Sequence, residues 1–143
     1  MKSINIGILL CLLTVAATSF FVFSKNTTIT TAGPQVGGPI EIVLVPDQIS
    51  DLGLIGKNNF ELKCQSCHGI NAAGRHEIGP PLVHKIYEPS HHSDQSFYRA
   101  VALGVKSHHW PFGNMASVEG LTKGDVKAII SYVRELQREN GIL

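Results

Sequence analysis

Cysteine is scarce in this chain, with three residues among 143. Cys11 lies in a hydrophobic stretch and only Cys64 and Cys67 are near one another, so no disulfide framework is expected. Charge of one sign is also missing. Twelve Lys+Arg face eleven Asp+Glu, for a formal net charge of +1, which leaves no field that would draw the chain to nucleic acid. The βαβ pattern that frames a thioredoxin-like dithiol is absent, and no second pair of ligands at matching spacing completes a zinc site. Those absences narrow what the two neighbouring cysteines can be doing.

What is present is Cys64-Gln65-Ser66-Cys67-His68-Gly69. Cys-x-x-Cys-His is the attachment pattern for c-type haem. One helical turn brings the two thiols to the same edge of a porphyrin, where each adds across a vinyl group. The adjacent imidazole of His68 then reaches the iron from one face. Fourteen Gly and seven Pro suit a loop-rich domain in which the haem supplies much of the buried apolar surface.

The amino-terminal end carries Lys2, and Ile4 to Phe23 is uncharged. A helix of about 20 residues spans roughly 30 Å, the thickness of a bilayer's hydrocarbon core. A cleaved signal peptide has a shorter apolar core of about 7–15 residues and a small-x-small site. Val15-Ala16-Ala17 offers such a site, but Phe20-Phe21-Val22-Phe23 continues the run past it, and Leu10 stands where a lipoprotein site before Cys11 needs a small residue. The reading is an uncleaved membrane anchor, with a cleaved signal and a soluble periplasmic product as the alternative. Either exports the rest, and Lys2 against Lys25 weakly favours an inside amino terminus, with the haem domain on the periplasmic side.

Domain limits follow: 1–23 as anchor or signal segment, 24–46 as linker, 47–143 as the haem domain. As a coil, a linker of about 25 residues has a reach of roughly 25–30 Å. Within it, Ile40 to Val45 is a β-prone apolar run expected to lie extended on the domain surface, a partner-docking strip being the alternative, and Pro46 ends it. Ser50 is the expected cap of a first helix whose Leu52, Ile55, Phe60 and Leu62 give an apolar face. Gly56 and Phe60, four apart, let another helix cross closely. Two successive prolines, Pro80 and Pro81, exclude helix but leave carbonyls as acceptors for the second ring N–H of a metal-bound histidine. A short helix starts at Ser93, with Phe97, Val101 and Leu103 on or near its inner side. Thr122-Lys123-Gly124-Asp125 is a capping box opening the clearest helix, with Val126, Ile129, Ile130, Val133 and Leu136 at helical spacing. Arg134 and Arg138 suit the dipole at its carboxyl end.

An electron-transfer haem needs a second axial ligand. Met115, the one methionine besides the initiator, sits in a Gly/Pro-punctuated loop before the last helix, and Met/His ligation raises the reduction potential. His108 and His109 are the competing donors. The histidines from His84 to His109 are otherwise read as surface residues, with a second metal as the alternative.

From Asp47 to the carboxyl terminus the chain resembles a class I cytochrome c, monohaem and His/Met-ligated. The resemblance rests on Cys64-Gln65-Ser66-Cys67-His68-Gly69, on Gly79-Pro80 followed by Leu82, on Gly113-Asn114-Met115, on the Gly56/Phe60 helix and on the final helix bearing Tyr132. It implies an all-α class I cytochrome c fold, one covalent haem c with its iron held by His68 and Met115, a Pro80 carbonyl accepting from the proximal imidazole, and Leu82 packed on the haem. It also implies a one-electron carrier working between a donor and an acceptor redox protein rather than an enzyme. The alternatives are a haem subunit of a larger membrane dehydrogenase or oxidase, and a peroxidase-like haem enzyme.

Overall fold

The computed structural model describes residues 33–143. The expected anchor, Ile4 to Phe23, lies outside them, and among the described residues no helix is long and apolar enough to cross a membrane. Four α-helices carry the domain: α1 Asp51–Lys63, α2 Gln65–His68, α3 Asp94–Leu103 and α4 Lys123–Glu139. Single 3-10 turns lie at Ile70–Ala72 and Lys85–Tyr87. Among the described residues, β pairing is confined to the isolated bridges Arg75–Gly79 and Val105–Met115, so the domain is all-α as expected.

The helices start where local chemistry supplies their missing acceptors. The Ser50 hydroxyl accepts from the Gly53 N–H at 3.0 Å, while Ser50 itself donates to Glu135 through both its N–H (2.9 Å) and its hydroxyl (2.7 Å). That cap therefore fastens α1 to α4. At α4 the capping box is complete: Thr122 accepts from the Asp125 N–H, and the Asp125 carboxylate accepts from the Thr122 N–H at 2.8 Å. Asn59 donates to the same carboxylate at 3.1 Å, tying α1 to the head of α4.

Between those ties α1 and α4 nearly touch. A Cβ on Gly56 would stand 1.9 Å from the Ala128 carbonyl oxygen, so only glycine lets the backbones meet. One turn further, Phe60 packs against Tyr132 with ring centroids 5.7 Å apart. Phe60, Ile129, Tyr132, Val133 and Leu136 form the core together with Ala72 and Val83, each large apolar member contributing about 1.5–3 kcal/mol by its burial.

The contact is narrower than the sequence implied. In α1 the buried stripe is Gly53, Gly56 and Phe60, whereas Leu52, Ile55 (54 % exposed) and Leu62 (80 % exposed) face outward. With two glycines in the seam α4 comes so close that it covers only that stripe. Leu103 is exposed too, and in α3 it is Phe97 that reaches the core.

Arg134, expected only to suit the helix dipole, does more than that. Its side chain is buried and donates to Asp94 (2.9 Å), to the carbonyls of Tyr87 (2.7 Å) and His92 (2.5 Å) and to Gln137 (2.6 Å), with Phe97 beneath it at 5.0 Å. Gln137, fully buried, donates to the carbonyls of Leu82 and Tyr87 at 2.8 and 3.0 Å. Together they hold the stretch between Leu82 and His92, which carries only the 3-10 turn at Lys85–Tyr87, against α4.

Residues 33–46, read as part of the linker, lie along the same compact unit, which begins at Gly33. Gly37 donates to His76, Ile40 and Glu41 donate to Ala73, and Leu44 exchanges two hydrogen bonds with the Asn140 side chain (2.9 and 2.8 Å). Val43 packs on the core while Ile42 and Leu44 are exposed, the alternation of an extended segment on a surface.

Candidate haem site

The motif sits at a helical corner. α1 ends at Lys63, Cys64 caps it, and α2 carries Gln65 to His68. The His68 N–H donates to the Cys64 carbonyl at 2.9 Å, closing the turn that sets the two cysteines one above the other. Both are free thiols. Burial and then the neighbouring Cys67 push the Cys64 thiol up to about 11, opposite to the activated thiolate that a dithiol oxidoreductase needs.

His68 is buried, at 8 % exposure. Its Nδ1–H donates to the Pro80 carbonyl oxygen at 2.8 Å, which leaves Nε2 as the free lone pair. Burial lowers its pKa and the Pro80 bond opposes that; the net direction favours the neutral, metal-binding imidazole. Tautomer and ring orientation are thus set as they are for a metal-bound histidine.

The Pro80 carbonyl is delivered by a tight turn. Arg75 and Gly79 exchange backbone bonds at 2.9 and 3.0 Å, and the Arg75 guanidinium reaches back to the Gly37 and Ser66 carbonyls. A Cβ on Gly79 would stand 2.5 Å from the Cys67 carbonyl oxygen, so glycine there lets the proline segment press against the motif. Leu82 follows; its N–H donates to Ala72 at 2.9 Å and its side chain is partly buried against the core.

Met115 lies on a separate loop whose base is closed by paired backbone bonds with Val105, 2.9 Å each. Ser107 donates to the Asn114 side chain at 2.9 Å and to the Trp110 carbonyl. These bonds fix the Met115 backbone and leave its side chain half-buried. His108 and His109, the competing donors, pack instead against one another and against His92.

One residue of this loop was missed from the sequence as a site residue. Among the described residues, Trp110 Nε1 is the one buried side-chain polar atom without a hydrogen-bond partner. Burial pushes the nearby Tyr87 hydroxyl up to about 12, and Trp110 opposes that shift. A buried N–H with no acceptor costs about 1–3 kcal/mol, and a haem carries two propionate carboxylates that would relieve it. The donor set fits the group: two thiols one turn apart, a neutral oriented imidazole, and an indole N–H awaiting an anion. That this is the chain's one tryptophan was the available signal.

A family model described as Cytochrome c matches residues 54–137, more than half of the chain. Comparison with curated proteins gives no match, and neither does comparison with solved structures.

Proposed function

From the premise that the chain belongs to the cytochrome c family, with the haem-based electron transfer and covalent haem c that membership implies, we propose a one-electron carrier. Cys64 and Cys67 would hold the haem covalently, and His68 and Met115 would ligate its iron. Haem c supplies an iron that alternates between Fe(III) and Fe(II). The observation that carries the reading is the His68–Pro80 hydrogen bond of 2.8 Å, which aims an unprotonated ring nitrogen away from the protein interior's own acceptor. Pro80 keeps His68 from turning, Leu82 supports the proline segment, and the paired bonds at Val105 limit how far Met115 can move. Iron ligands held by such bonds would move little between oxidation states, which suits outer-sphere transfer to other redox proteins. A near-zero net charge suits encounters that are not strongly steered.

We further place the domain outside the cytoplasm, tethered by Ile4–Phe23. With Gly37 onward bonded to the domain, residues 24–36 are the chain left between tether and domain, and fully extended they reach at most about 45 Å. The domain would therefore serve partners in or near the same membrane.

Protein-film voltammetry of wild type and Met115→Ala tests the ligand set. The wild type should give one reversible one-electron wave. Met115→Ala should shift it down by roughly 0.1 V or more, within the about 0.8 V range that axial ligands span, and should let cyanide bind. An unchanged potential with no cyanide binding would remove Met115 from the iron.

A further inference from the structure

Four of the six histidines that the haem motif does not use, His91, His92, His108 and His109, are gathered rather than scattered. His91, His92 and His109 each bring one ring nitrogen into a group whose members all lie within 4.8 Å of one another. His91 Nε2 and His109 Nε2 are 3.4 Å apart. Two imidazole nitrogens bound at 2.0–2.1 Å to a tetrahedral ion stand about 3.3–3.4 Å apart, so this pair is already at ligand spacing. The third donor is fixed: His92 Nδ1–H donates to the Ile86 carbonyl at 2.6 Å, which leaves Nε2 as its unprotonated nitrogen. That is the arrangement by which a carbonyl fixes the tautomer of a metal-bound imidazole. His108 flanks the group, its ring 4.2 Å from His109, with Nδ1–H donating to the Lys106 carbonyl at 2.9 Å.

The geometry points to a divalent transition-metal site formed by His91, His92 and His109, distinct from the haem ligands, for an imidazole-preferring ion such as Zn2+. Three neutral nitrogen donors select Zn2+, Cu2+ or Ni2+ over Mg2+ and Ca2+, which require oxygen. His91 and His109 are exposed, so the ion has an open path and room for a solvent or partner ligand in the remaining position. The backbone beneath is held, because Arg134 donates to the His92 carbonyl at 2.5 Å.

The three ligands come from two segments. His91 and His92 end the turn before α3, whereas His109 belongs to the loop closed by Val105 and Met115. A bound ion joins them, bracing that loop against the turn before α3.

Isothermal titration of the haem-loaded protein with ZnCl2 tests the site. One equivalent of Zn2+ should bind, the thermal midpoint should rise with Zn2+, and a chelator should reverse the rise. His91→Gln and His109→Gln should each weaken binding by more than about 10-fold, since losing even an outer-shell partner costs about 10–100-fold, and abolish the thermal shift. His76→Gln, which lies outside the group of three, should change neither. Both test side chains are exposed, and an unchanged haem spectrum in each variant confirms that the fold is kept. Absence of Zn2+ binding to the wild type overturns the proposal, as does binding of unchanged affinity in both H91Q and H109Q.

Discussion

Gly56→Ala adds one methyl group where α1 crosses α4. Alanine favours a helix over glycine by about 0.8–1.0 kcal/mol, so propensity alone makes this a stabilising change. The structure says the opposite. The new Cβ would lie 1.9 Å from the Ala128 carbonyl oxygen, 2.4 Å from its carbon and 2.9 Å from the Ile129 nitrogen. All three are backbone atoms of α4, which cannot swing aside as a side chain would. To reach ordinary contact the helices must separate by more than about 1 Å, and the Phe60–Tyr132 pair one turn away loses close packing. Overpacking of this kind costs about 1–3 kcal/mol and sometimes more, and part of the dispersion of the core is added to it. After the propensity gain, the expected net loss is about 2–3 kcal/mol, a fall in thermal midpoint of roughly 10–20 °C for a domain of this size. Far-UV circular dichroism of the holoprotein against temperature and guanidinium measures both. Gly124→Ala is the control, because its Cβ would meet only Thr122 Oγ1, at 3.5 Å, and it should be neutral or slightly stabilising. If Gly56→Ala is as benign as Gly124→Ala, the close crossing does not exist.

Other consequences can be checked the same way. Arg134→Met should cost about 2–4 kcal/mol, since the His92 carbonyl and the Gln137 side chain lose a buried partner, while haem attachment survives; a urea midpoint equivalent to less than about 0.5 kcal/mol of change would refute the hub. Asp125 is held below the usual carboxylate range by hydrogen bonds from the Thr122 side chain and backbone. Its contribution is therefore present above the unfolded pKa and is lost as pH falls through the folded one. Asp125→Asn should be less stable than wild type at neutral pH, with the gap closing in acid; a gap independent of pH would contradict the capping box. Trp110→Phe should keep covalent haem but bind it less rigidly, seen as weaker induced circular dichroism in the haem band, and an unaltered signal would mean that the indole N–H meets no propionate.

Local signals were the legible ones. Ser50, the Thr122–Asp125 box and the Cys64–His68 turn act over three or four residues, so spacing alone disclosed them. The Gly56/Phe60 seam was legible because a small and an aromatic residue four apart share one helical face. Arg134 was not, because Asp94 lies 40 positions away and the Tyr87 and His92 carbonyls, up to 47 positions away, carry no side-chain signature; its place near a helix end suggested only the dipole. Leu52, Ile55 and Leu62 misled because apolar spacing marks a face that could be buried without saying how wide a neighbour covers it. That Ile40 to Val45 lies extended on the domain surface was legible from its β-prone run; the groups that hold it and its neighbours there, the Ala73 and His76 carbonyls and the Asn140 side chain, were not. For the site, the sequence supplied the motif and the Pro80 acceptor; the unpartnered Trp110 nitrogen and the convergence of His91, His92 and His109 needed three dimensions.

The central claim is that Cys64 and Cys67 carry a haem covalently while His68 faces its iron. Denaturing chromatography of protein made in a host able to mature c-type cytochromes, followed by mass spectrometry of its peptides, addresses that most directly. The account expects haem absorbance to travel with the unfolded chain, and the peptide containing Cys64 to His68 to carry one haem, attached through both cysteines. Haem that separates from the chain on denaturation, with that peptide recovered as two free thiols, would contradict it.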